Sequence, residues 1–141
     1  MVDYKIIDNA LNDSLLTSIQ EHVESNRMPW HFLKNSAYPD SIEKEITKFP
    51  LTYSFGHMAL DKGDNYISPF GLADITIPIG LILKDLFELE KSYSVHRLRW
   101  GMTTSINKSY KNTPHIDFLN PHKVILFYLN ESDGDTYFYD K

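Results

Sequence analysis

The sharpest constellation of residues able to do chemistry is His115-Ile116-Asp117, preceded by Thr113-Pro114. On a strand, residues i and i+2 point to the same side, so an imidazole and a carboxylate at that spacing converge on one ion. One nitrogen and one anionic oxygen ligand suit Fe(II), where a further histidine completes a facial triad and leaves positions open for oxygen and a cosubstrate. With six histidines and twelve aspartates in 141 residues, roughly half of one such pair is expected from composition alone. The pair by itself is weak, and its surroundings must carry the case. His22-Val23-Glu24 has the same spacing on a helical pattern, where i and i+2 diverge, and reads as a solvated face.

Other side chains offer binding rather than catalysis. Arg97 and Arg99 alternate along one strand, and a guanidinium pair facing a pocket would hold a carboxylate. The competing reading is a strand side turned to solvent. Tyr128 and Tyr137 are phenolic donors for a cosubstrate, or core tyrosines with their hydroxyls tied off. His122, between Pro121 and Lys123, reads as a surface-loop residue, and Trp30, His31 and Phe32 read as packing residues. There is no glycine-rich phosphate loop, no Ser/His/Asp arrangement and no His-x-His pair.

These residues need a scaffold, and the composition supplies one. A hydrophobic fraction of 42% and a charged fraction of 23% are those of a globular chain, long enough for one core and too short for two good domains. A net charge of −5 speaks against gripping nucleic acid through its phosphates. The absence of cysteine removes disulfides, thiolate nucleophiles and Cys-type metal sites, leaving His and carboxylate as the metal ligands. Residues 1–7 lack a signal-peptide pattern, and the apolar run 75–89 is broken by Lys84, Asp85 and Glu88, so neither secretion nor a membrane span is expected. The expectation is a cytoplasmic domain.

Along the chain, Tyr4 to Ile7 is β-prone, and Asn12 or Asp13 caps a helix whose apolar positions are Leu15, Leu16, Ile19 and Val23. Pro29 ends it. Residues 30–33 read as a strand, 35–40 as a loop, 51–60 as a strand and 61–64 as a turn. The second helix is expected over 73–90. Pro78 favours a first turn near itself, where a missing N–H costs little, with Ile82, Leu83, Leu86, Phe87 and Leu89 as the apolar face. A strand follows over 93–102. Residues 123–130 read as a short strand buried on both faces, Asp133-Gly134 as a tight turn and 136–139 as the next strand. Two helices followed by accumulating strands give an α+β class.

The stretch from His96 to Lys141 resembles the start of the double-stranded β-helix core of 2-oxoglutarate- and Fe(II)-dependent oxygenases, in particular the prolyl-4-hydroxylase-like branch. The matching features are His96-Arg97-Leu98-Arg99-Trp100-Gly101 before the His-x-Asp, then Val124 to Asn130 ending in Tyr-Leu-Asn, then Gly134-Asp135-Thr136 opening the next strand. The front end is similar too, with a strand, Asp8-Asn9-Ala10-Leu11, an amphipathic helix and Pro29-Trp30. The resemblance implies a partial jelly roll, with residues 1–92 as helical and strand support and 93–141 as the first core strands. It implies Fe(II) and 2-oxoglutarate as cofactors and His115 and Asp117 as iron ligands; the cosubstrate contacts expected from the residues themselves are Arg99 and Tyr128. The implied substrate is a peptide or small molecule, with a peptidyl or free proline as the class for this branch. Family members carry a second histidine and then an Arg or Lys beyond the His-x-Asp, whereas the last histidine here is His122 and the last cation Lys141. The expectation is therefore a truncated domain, inactive as this chain, that dimerises through its C-terminal strands. The alternative is a non-catalytic β-rich binding or structural module on the same scaffold.

Overall fold

A computed structural model describes residues 4–34, 53–70, 72–104, 115–132 and 134–138, with the side chains of residues 72 and 73 left aside. The elements run α1 (Asp13–Val23), β1 (His31–Leu33), β2 (Ser54–Asp61), β3 (Tyr66–Ile67), α2 (Leu72–Leu86) and β4 (Arg97–Thr103). This mixture of helix and antiparallel sheet is α+β. Three strands precede α2 and one follows it, so strands do not simply accumulate after the helices. The strands among the described residues form a single sheet of four.

β2 is its centre. β4 pairs with it antiparallel from Ser54↔Thr103 to Asp61↔Arg97, while β1 pairs at 54–56 and β3 at Leu60 and Asp61. A strand has two edges, so β4 takes one and the two short strands share the other. The register slips between Met58 and Leu60, leaving Ala59 as a bulged residue, completely buried. β3 follows β2 through residues 62–65, where Asn65 adopts φ 51°, a conformation asparagine tolerates better than most residues.

α1 begins where its cap demands. Asn12 Oδ1 accepts from the Leu15 N–H at 2.9 Å, and Ile19 and Val23 on one face are buried. α2 departs from the sequence expectation at both ends. It starts at Leu72, with Pro78 inside it, and forgoes the N–H that would reach back to residue 74. The core explains this: Ile75, Ile79, Leu83 and Leu86 recur at helical spacing against it, and starting at Pro78 would forfeit the first of them. Ile82, expected on the apolar face, is exposed. Gly80 lets the helix lie on the sheet, since a Cβ there would be 3.0 Å from Leu98 Cδ2.

The central cluster joins Leu11, Ile19 and Val23 with Ile79 and Leu83, and Trp30, Trp100, Ile125, Phe127 and Leu129 pack against it. The segment 123–130, expected as a strand buried on both faces, is not part of a sheet among the described residues. Its burial alternates, with Ile125, Phe127 and Leu129 inward and Val124, Leu126 and Tyr128 exposed. Gln20 of α1 donates to the Leu129 carbonyl and fixes that end. Residues 136–138 likewise lie outside any strand. The expected loop 35–40, the Thr113-Pro114 pair, Asp133 and Tyr139 fall outside the described residues. No helix among the described residues is long and apolar enough to cross a membrane.

Candidate functional site

The residues that tie the 115–123 segment to the sheet start from one ion pair. Register places Asp61 opposite Arg97, and Arg97 Nε donates to Asp61 Oδ2 at 2.9 Å. The Gly63 N–H donates to Asp61 Oδ1 at 2.9 Å, closing the turn that follows β2. Burial alone would raise the Asp61 pKa, but the bonds from Arg97 and Gly63 and the guanidinium charge hold it below its ordinary value. The guanidinium carbon lies 4.3 Å from the centre of the Phe118 ring, a cation–π contact. The rings of His96 and His122 stand edge-on to Phe118 at 5.0 and 5.2 Å. Two histidines, an arginine and an aromatic ring thus hold the 118–122 stretch beside the start of β4.

His115 and Asp117 sit just before this cluster. Both are exposed and neither belongs to a strand, so the two-residue spacing does not act here through strand geometry. No three His, Asp or Glu side chains come together in a metal-sized group among the described residues. All six histidines are among those residues, so no second histidine completes a facial triad with this pair. His22 lies half-buried in the last turn of α1. His31 and His57 stack on each other at 5.9 Å, and His96 and His122 flank Phe118.

The two expected cosubstrate contacts are far apart in role. Arg99, exposed on β4 opposite Met58, has Arg97 as its alternate neighbour, and Arg97 is committed to Asp61 and Phe118. Tyr128 is exposed, and its hydroxyl bonds Thr136 Oγ1. No hydrogen bond or ion pair joins Arg99 to Tyr128 among the described residues. A shallow apolar cleft of about 340 Å³ between α2 and residues 93–95 is lined by neither of them, nor by His115 or Asp117.

One polar residue that sequence reasoning read only as part of a strand is His57, 1% exposed on β2. Its Nδ1 lies 3.0 Å from the Pro29 carbonyl, which can only accept, so that nitrogen carries the proton. Nε2 then accepts from the Ser68 hydroxyl at 3.0 Å, and Ser68 Oγ accepts in turn from the Phe70 N–H. The clue was a histidine placed between apolar residues of a strand. Its partners, eleven and 28 positions away, are not visible in the sequence.

No family model, curated protein or solved structure matches the chain.

Proposed function

We propose that the chain is an oxygenase-type domain of the 2-oxoglutarate- and Fe(II)-dependent class, prolyl-4-hydroxylase-like, contributing His115 and Asp117 as two protein ligands of a jelly-roll site. The observation that supports this is an order of features. An Arg-bearing strand, Arg97–Thr103, is followed by His115-x-Asp117, and then by an alternating apolar segment whose Ile125, Phe127 and Leu129 close the core. Two exposed ligands, with no group of three among the described residues, do not fit a resident Fe(II), because a site of this kind needs three protein ligands and a second shell that orients them. A single copy is therefore expected to bind Fe(II) weakly and to leave 2-oxoglutarate unconsumed.

Anaerobic titration with Fe(II), together with an assay for 2-oxoglutarate decarboxylation, tests this. The expected result is weak metal binding that His115→Ala and Asp117→Ala each abolish, with no carbon dioxide released from 2-oxoglutarate. Binding untouched by either substitution overturns the ligand assignment. Turnover by the pure monomer overturns the incomplete site, and His96→Ala and His122→Ala would then identify the additional ligand.

The second reading is a non-catalytic β-rich binding or structural module. It is favoured by one observation, that among the described residues no group of three His, Asp or Glu forms that could hold a metal ion. Under this reading the chain binds neither Fe(II) nor 2-oxoglutarate in the same titration.

A further inference from the structure

The cleft of about 340 Å³ between α2 and residues 93–95 combines an apolar lining with a local reversal of charge. Ile77 and Leu81 stand one turn apart on the same face of α2 and form one wall, and Val95 belongs to the other. Leu60 of β2, 8% exposed, is the most deeply buried part of the lining. Leu81 is 50% exposed, so the described residues leave this apolar wall open to water. Lys84 continues the stripe of Ile77 and Leu81 along α2, and its ammonium donates to the Tyr93 carbonyl. That bond ties the helix to the opposite wall and keeps the charge at the cleft.

Lys62 lines the same cleft, its backbone fixed there by the bond from its N–H to the His96 carbonyl. The carboxylate beside it in sequence, Asp61, is bonded to Arg97. No Asp or Glu among the described residues lines the cleft, although the chain as a whole carries a net charge of −5. Two ammonium groups on flexible stems, above apolar walls and without an acid to neutralise them, complement a hydrocarbon chain that ends in a carboxylate. The size limits the occupant. A cleft of about 340 Å³ is near the lower end of the range that holds small ligands, which leaves room for one short chain and not for a helix about 10 Å across. We infer that the cleft binds a short free fatty acid, with its alkyl chain against Ile77, Leu81 and Val95 and its carboxylate held by Lys62 and Lys84. His115, Asp117, Arg99 and Tyr128 do not line it, so this site stands apart from the oxygenase reading.

Titration of the 141-residue chain with sodium octanoate, followed by backbone amide chemical shifts, tests this. The amides around Leu60, Leu81 and Tyr93 should shift and saturate, with a Kd below about 1 mM. Lys62→Gln should raise that Kd about twofold to fivefold, the loss expected of one exposed ion pair. Lys84→Gln should do the same, and Lys84→Arg, which keeps both the charge and a donor for the Tyr93 carbonyl, should recover the parent value. Leu81→Gln, at a half-exposed position where the fold tolerates a polar side chain, should weaken binding at least roughly fivefold by removing apolar wall. Butyrate, shorter by four methylenes, should bind at least about tenfold more weakly. Octylammonium, with the same chain and the opposite charge, should give no saturating shift at these amides. Octanoate that leaves them unmoved up to about 10 mM overturns the proposal. So does octylammonium that binds there as tightly as octanoate, or an affinity that ignores both lysine-to-glutamine substitutions.

Discussion

Asp61 owes its ionisation to its neighbours. Its side chain is 8% exposed, a setting that by itself favours the protonated acid, and Arg97 Nε together with the Gly63 and Asp64 N–H groups reverses that preference. The folded pKa therefore lies below the unfolded one. The unfolded chain takes up the proton first as pH drops, so the pair's contribution is complete above about pH 4 and lost as pH falls through the folded value. Asp61→Asn keeps the shape and an acceptor oxygen but removes the charge from Arg97, and should cost about 1 kcal/mol at pH 7. Urea unfolding at neutral pH and near pH 3 checks this: the gap between parent and variant should narrow at the acidic end. A gap that widens there would mean that Asp61 is held protonated in the fold.

Among the elements, the C-terminus of α2 carries a cap with the wrong residue in it. The Glu88 N–H donates to the Asp85 carbonyl at 2.9 Å and the Leu89 N–H to the Lys84 carbonyl at 3.2 Å, the paired bonds of a Schellman motif. That motif places Glu88 at φ 54°, in the left-handed region that glycine occupies without steric cost. Its ion pair with Lys5, at 3.8 Å between exposed side chains, adds little. Glu88→Gly should stabilise the protein by about 0.5–1 kcal/mol, visible as a raised thermal midpoint with unchanged helix content. The same residue explains why the end of this helix was expected about one turn too far on. Without a glycine the stop is invisible, and Leu89 continues the apolar pattern. The start of α1, by contrast, was legible because Asn12 is a residue whose side chain makes the cap. Pro78 misled for a related reason: it is a local breaker, and only the burial of Ile75 and Ile79 against residues distant in sequence shows why the helix runs through it. The His115-x-Asp117 spacing could be read, but whether it means convergence depends on a strand that the described residues do not form there.

Across the whole molecule, the core is closed by its two ends. Ile19 of α1, 1% exposed, belongs to the same cluster as residues from the middle of α2, and part of the outer layer of that cluster comes from 125–129, more than a hundred positions away. The register of this last segment decides which side chains contribute. If Phe127 fills the space beside α1, then Phe127→Ala removes a half-buried ring and should cost about 2 kcal/mol, somewhat less than a fully buried aromatic. Leu126→Ala, one position along but 58% exposed, should change stability by less than about 0.5 kcal/mol. A strand buried on both faces would make the two losses similar. Trp30 and Trp100 both pack against the core, so their fluorescence reports its opening while far-ultraviolet circular dichroism reports the helices. In urea the two signals should move together in the parent and in Phe127→Ala, because among the described residues the start, middle and late parts of the chain share one cluster. Coincident transitions at a lower midpoint for Phe127→Ala, with Leu126→Ala unmoved, are the expected pattern. A fluorescence change that precedes loss of helix would mean that 125–129 lifts off as a unit of its own, and that α1 and α2 hold together without it.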